Sequence, residues 1–241
     1  MAPLARRAAI PIVALDYPTA AAALALVDRL GSRCRFYKIG SELFTAAGPD
    51  IVARVRDCGA DVFLDFKFHD IPNTVAGGVK CAAALGARLI TVHAAGGSMM
   101  LRAAVKAAGE QSKVGILGVT VLTSLTGPEV AESWGREAGL DPAAEVLRLA
   151  GLVAASGAHG IVCSGQEAAA VRARHGETLA LLIPGVRPAG EATQDQARVV
   201  TPTQAVQAGA SYLILGRAVT GSSDPEAAMD RVNAEIDLAT R

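Results

Sequence analysis

The chain has 241 residues, of which 51% are hydrophobic and 19% charged, so it holds ample material for a large core and little for a disordered tail. Lys+Arg and Asp+Glu balance at 23 each, and aromatic residues make up only 4%. That balance argues against a nucleic-acid or anionic-membrane partner, which would call for a basic excess or base-stacking rings.

Near the N-terminus, Arg6-Arg7 precedes an apolar run from Ala8 to Leu15 that has the outline of an export signal. Pro11 interrupts the run and Asp16 ends it without a small-residue cleavage site, so a cytoplasmic protein is expected. No apolar stretch approaches the roughly 20 residues that a membrane-spanning helix needs. Cys34, Cys58, Cys81 and Cys163 lack metal-type spacing and sit in or beside apolar stretches, which predicts buried free thiols.

In chain order, apolar runs predict strands over 10–16, 35–40, 61–67, 88–94, 114–122, 160–164, 179–185 and 212–216. Helical stretches follow each of them, over 20–30, 49–58, 74–85, 99–108, 142–155, 167–175, 202–208 and 225–238. Gly59, Gly86, Gly157 and Gly209 recur just before strands, where a left-handed glycine ends a helix. Eight evenly spaced βα units predict an α/β fold, a (β/α)8 TIM barrel spanning residues 1–241 as one domain. A doubly wound open sheet is the alternative, but no Gly-rich dinucleotide loop follows the first strand. An insertion over 124–139, holding Pro128 and Trp134, is expected to add a short helix over one end.

In such barrels functional groups come from the C-terminal ends of strands. Asp16 ends the first predicted strand, Lys38 lies near the end of the second, and Asp65 and Lys67 end the third. Residues two apart on a strand share a face, so Asp65 and Lys67 should project together toward the barrel mouth, with Asp70 on the loop beyond. Any one of these charges has an ordinary structural reading as a helix cap or a solvated side chain. Their convergence on three adjacent strand ends is harder to explain that way, because buried charges cost free energy unless paired. His69 alternates away from Lys67 and is read as structural. Across the mouth, strand seven runs into Gly185-Val186-Arg187 and strand eight into Gly216-Arg217, the usual place for a phosphate. Arg187 also opens a polar loop to about Thr201, long enough to serve as a lid.

The run Asp65-Phe66-Lys67-Phe68-His69-Asp70-Ile71-Pro72-Asn73-Thr74 resembles the signature of the orotidine 5'-phosphate decarboxylases. The likeness continues through Leu15-Asp16, Tyr37-Lys38-Ile39-Gly40, Thr120-Val121-Leu122-Thr123-Ser124, Val186-Arg187-Pro188, Asp195-Gln196, Thr201-Pro202 and Leu215-Gly216-Arg217. Gln194 departs from the glycine that bacterial members often carry before Asp-Gln. The resemblance implies a cofactor-free, metal-free lyase converting orotidine 5'-phosphate to uridine 5'-monophosphate, the last step of pyrimidine biosynthesis. By the same resemblance, Lys67 stabilises and protonates the C6 carbanion, Lys38 links Asp65 to the ribose, and Asp16 binds a ribose hydroxyl. Thr123 meets the pyrimidine, and Arg187, Gln196, Gly216 and Arg217 hold the phosphate. Asp70, Ile71 and Thr74 are implied to reach the neighbouring subunit's site, making the functional unit a homodimer.

Two rival readings stand beside this one. A Mg²⁺-dependent barrel of the 3-keto-L-gulonate 6-phosphate decarboxylase or hexulose phosphate synthase type shares an Asp-x-Lys-x-x-Asp segment, but Lys38 stands where a metal site would want an acid. A non-catalytic barrel that binds a phosphate ligand would lack a member of the charged set, and none is lacking.

Overall fold

A computed structural model of the protein describes residues 8–109, 113–137, 139–188 and 199–241. Its strands are β1 (Ile10–Ala14), β2 (Phe36–Gly40), β3 (Asp61–Phe68), β4 (Leu89–His93), β5 (Gly115–Val119), β6 (Gly160–Val162), β7 (Ala180–Ile183) and β8 (Tyr212–Leu215). All pair in parallel with their sequence neighbours, and β8 pairs with β1, closing an eight-stranded barrel. The helices are α1 (Ala20–Leu30), α2 (Ser41–Ala47), α3 (Asp50–Asp57), α4 (Pro72–Ala84), α5 (Gly97–Ala108), α6 (Gly127–Ser133), α7 (Pro142–Ala155), α8 (Gly165–His175), α9 (Pro202–Gln207), α10 (Arg217–Thr220) and α11 (Pro225–Thr240). The fold is the expected (β/α)8 barrel.

Most strands are shorter than the apolar runs that announce them, because the ends of those runs leave the ladder at the mouth. At the end of β5, for instance, the Thr120 amide at 3.2 Å and its hydroxyl at 2.8 Å both donate to the Val162 carbonyl, and the strand stops there. The insertion supplies α6, opened by Thr126 and Glu129 in a reciprocal capping box. Two short helices, α2 and α10, are not legible as apolar periodicity; each fits within two turns directly behind a strand. Gly59, Gly86, Gly157 and Gly209 all adopt positive φ, from 75° to 93°, and turn helix into strand as their position predicts.

Period-two alternation splits the core into two shells. Inward-facing Ile12, Phe36, Phe63, Leu89, Leu117, Leu182 and Ile214 fill the barrel interior, where Phe36 meets Tyr212 edge-on. Outward-facing Val13, Ile39, Leu64, Ile90, Ile161 and Leu213 join a second cluster with helix residues such as Leu26, Val52, Val79, Leu149 and Val232. The cysteine expectation needs correction: Cys34 and Cys163 are buried, but Cys58 and Cys81 are exposed, and all four are free thiols. Cys58 and Cys81 belong to a helix end and a helix flank whose apolar neighbours, not the thiols, face the core. Among the described residues, no helix is long and apolar enough to cross a membrane.

The short β6 is packed so closely that a Cβ on Gly160 would lie 2.1 Å from the Ala180 carbonyl oxygen of β7. Gly160→Ala is therefore expected to destabilise the protein by roughly 3 kcal/mol through backbone displacement. Gly151→Ala, in α7 with open space around it, should gain about 0.5–1 kcal/mol. Urea unfolding of the two variants checks both signs.

Candidate active site

Among the described residues, a cavity of about 480 Å³ opens at the C-terminal end of the barrel. Its apolar floor is the top of the interior shell, Ala14, Phe63, Leu182 and Ile214, with Val119 and Val162. Asp16, Lys38, Asp65 and Lys67 line one side; Pro184, Gly185, Arg187, Gly216 and Arg217 line the other, with Thr123 on the wall.

The charges on the first side are arranged as a chain. Lys38 Nζ lies 2.8 Å from Asp16 Oδ1 and 3.8 Å from Asp65 Oδ2, and Lys67 Nζ lies 2.8 Å from the same Asp65 Oδ2. Asp65 and Lys38 are nearly enclosed, with side-chain exposures of 13% and 11%, whereas Lys67 keeps 40%. An enclosed carboxylate is tolerable here because cations flank it. Gly40 leaves room for the pair above it: a Cβ there would stand 3.2 Å from Lys38 Nζ and 3.5 Å from Asp16 Oδ1.

Asp65 and Lys67 do share the cavity face, but not as members of a regular strand. The β3–β4 register runs Leu64↔Ile90 and then Phe68↔Val92, so β3 spends four residues where β4 spends two. Within this bulge Lys67 has φ 49°, the one positive φ among the described non-glycine residues. Thr91, fully buried on β4, stands opposite. Its hydroxyl accepts the Lys67 amide proton at 2.9 Å and donates to Asp65 Oδ1 at 2.9 Å. Sequence reasoning passed over Thr91; a lone hydroxyl in the apolar run Leu89-Ile90-Thr91-Val92 was the available signal.

Across the mouth, Gly185 takes φ 70° and Val186 bridges to Val200. Arg187 is buried; its Nη1 donates to the Val186 carbonyl and its amide to the Val200 carbonyl, both at 3.0 Å. Gly216 precedes α10, whose first residue is Arg217. Among the described lining residues, four cationic side chains (Lys38, Lys67, Arg187, Arg217) stand against two anionic ones (Asp16, Asp65), an excess of two positive charges that suits an anion. Gln196, Gln194 and most of the expected lid fall within 189–198, outside the described residues.

Asp70, Ile71 and Thr74 stand outside this chain's cavity and are exposed, Ile71 by 66%. Asp70 Oδ1 accepts the Ile71 amide proton at 2.6 Å at the entry to α4. His69 is exposed, and its ring lies tilted beside that of His93 at a centroid distance of 5.2 Å. Among the described residues, no three His, Cys, Asp or Glu side chains converge to hold a metal ion.

Closed barrel, charged strand ends and a cationic far wall define a (β/α)8-barrel protein whose mouth is suited to a small anionic ligand. Residues 10–232 match the family model described as "Orotidine 5'-phosphate decarboxylase / HUMPS family". The chain belongs to that family and is an enzyme of it. It is 49% identical over 231 residues to an orotidine 5'-phosphate decarboxylase of Halorhodospira halophila, covering 95% of this chain and 96% of the relative. A Pseudomonas fluorescens protein of the same name is 46% identical over 227 residues, covering 93% and 96%. The solved orotidine 5'-phosphate decarboxylase of Lactobacillus acidophilus superposes with a TM-score of 0.82 at 34% identity, over 95% of this chain and 99% of that one.

Burial pushes the His93 imidazole below its usual pKa, and the neighbouring His69 and Lys67 push it further the same way. Burial, with Arg88 nearby, also lowers His159. The unfolded chain then takes up protons before the folded one does. Stability from these neutral rings is full above about pH 6.5 and is lost as pH falls through the folded values. Thermal unfolding from pH 7.5 to 5 should show a falling Tm, with a shallower fall in the His93→Gln/His159→Gln double variant.

Proposed function

We propose that this protein decarboxylates orotidine 5'-phosphate to uridine 5'-monophosphate, with Lys67 as the group that meets the reacting carbon. The observation that carries the reading is the Lys67–Asp65–Lys38–Asp16 chain on one side of a cavity whose other side is cationic and glycine-lined. The names and high identity of the relatives support it.

Breaking the bond between C6 and the carboxylate releases CO2 and leaves an electron pair on C6 with no conjugated sink. An ammonium fixed beside that carbon stabilises the developing charge and then transfers a proton to it, leaving a neutral amine that regains its proton from solvent. Lys67 has the position and the partial exposure for this, and Asp65 restrains its ammonium at 2.8 Å. Asp16 and Lys38 are assigned to the ribose hydroxyls, Thr123 to the pyrimidine, and Arg187, Gly216, Arg217 and Gln196 to the phosphate. Binding energy spent on a phosphate remote from C6 can offset the ordering of the site and so raise turnover, beyond tightening affinity.

A divalent cation beside Asp65 would face the ammoniums of both Lys38 and Lys67, so these residues fit a metal-assisted relative poorly. Exposure of Asp70, Ile71 and Thr74 at one edge of the mouth supports a homodimer in which they complete the neighbouring site.

Protein purified with EDTA should turn over orotidine 5'-phosphate in an absorbance assay, and Lys67→Ala should lose at least roughly 10⁴-fold in kcat/KM. An inactive wild type, or near-normal turnover by Lys67→Ala, sinks the proposal. For the shared site, Lys67→Ala and Asp70→Ala chains allowed to exchange subunits should regain activity up to roughly a quarter of the wild-type sites. Exchange without recovery would refute the shared-site assignment.

A further inference from the structure

The bulge in β3 sets a problem that its own backbone cannot solve. In a regular parallel ladder the Lys67 amide would donate to a β4 carbonyl, but the two extra residues between Leu64 and Phe68 take it out of step with β4. Lys67 also holds φ 49°, a conformation that a non-glycine residue keeps only when its surroundings impose it. Asp65 has the converse need. Its Oδ2 faces Lys67 Nζ at 2.8 Å and Lys38 Nζ at 3.8 Å, and Oδ1 needs a donor that fixes the plane of the carboxylate. One hydroxyl meets both demands: Thr91 Oγ1 lies 2.9 Å from the Lys67 nitrogen and 2.9 Å from Asp65 Oδ1.

We propose that Thr91 is a positioning residue for the decarboxylation assigned above, its single hydroxyl setting the Lys67 backbone and the Asp65 carboxylate in one mutual geometry. The inference rests on that functional reading. Thr91 has no exposed surface and does not line the cavity, so it touches no ligand and acts only through its two partners. A core-filling role would be served equally by valine, which has the same branched shape. The hydroxyl is distinguished by its bonds: it accepts from one end of the bulge and donates to the other. A hydroxyl has one donor and room for two acceptor contacts, so both bonds are made at once. Division of labour within Asp65 follows, with Oδ1 held by the scaffold and Oδ2 left to the two lysines.

Thr91→Val, Thr91→Ser and Thr91→Cys test this against wild type, using steady-state decarboxylation of orotidine 5'-phosphate, calorimetric binding of uridine 5'-monophosphate, and thermal unfolding. Misplacing the Lys67 ammonium by about 1 Å is expected to lower kcat roughly 100-fold in Thr91→Val, while KM and product affinity stay within about threefold. Thr91→Ser, which keeps the hydroxyl, should return kcat to within about fivefold of wild type. Should Thr91→Val not fold, Thr91→Cys supplies the same comparison with a weak donor, and its kcat should fall well below that of Thr91→Ser. Wild-type kcat in Thr91→Val, a serine variant as slow as the valine one, or product affinity falling in step with kcat would each overturn the proposal. An inactive wild type would instead overturn the decarboxylase reading. The Thr91 arrangement would then be judged by crystal structures of wild type and Thr91→Val: a rotated Asp65 carboxylate and a relaxed Lys67 φ support it, and an unchanged bulge refutes it.

Discussion

Asp65 is a carboxylate placed where water can reach little of it, and the mouth of the barrel is organised around that constraint. An unpaired anion with 13% exposure would cost several kcal/mol to desolvate. Lys67 and Lys38 flank one oxygen, Thr91 donates to the other, and Asp16 in turn holds Lys38. Each of these groups comes from a different strand end or its continuation, apart from Lys67, which shares β3 with Asp65. Parallel pairing of β1, β2, β3 and β4 in chain order is what brings these strand ends side by side and makes the network reachable. Remove one member and a neighbour is left with an uncompensated charge, so the cluster is a unit whose parts are not separately adjustable.

The bulge gives that unit its geometry. Flat pleating would have carried Lys67 past Asp65 at the ordinary strand repeat. Two additional residues in β3 instead fold the segment back, so that a side chain two positions on reaches the carboxylate at hydrogen-bond distance. A backbone held at positive φ by side-chain and packing contacts stores conformational strain at the place where chemistry is proposed. Its neighbour Phe68 packs edge-on against Phe66, and Phe66 against Phe44 of α2, so the bulge is wedged from outside by rings as well as tied from within.

Much of this was legible in the sequence, for reasons that can be named. Buried parallel strands are near-continuously apolar, and Val62-Phe63-Leu64 and Leu89-Ile90 announce themselves that way. Strand ends carry the chemistry in such barrels, so the sequence alone assigns Asp16, Lys38, Asp65 and Lys67 to one mouth. The bulge could not be read, because period-two alternation puts Asp65 and Lys67 on one face whether the strand is regular or not. Thr91 was hidden for a related reason: its partners lie on another strand, and pairing register is a tertiary fact. The short helices α2 and α10 escaped because two turns contain too few residues to show a face. Cys58 and Cys81 misled because an apolar neighbourhood in sequence does not fix which side of a helix a thiol occupies.

The interior shell has one more implication. Ile12, Phe36, Leu89 and Leu117 plug the barrel beneath the cavity, so among the described residues the chamber opens at the mouth and is closed below. A ligand that enters from the mouth then has no exit through the packed floor. Under the proposed decarboxylation, a product that retains its phosphate would pass back between the guanidinium and ammonium groups lining the mouth, while neutral carbon dioxide would pass them unhindered. Retention at the doorway would therefore sort the two products by charge, with the uncharged one leaving first.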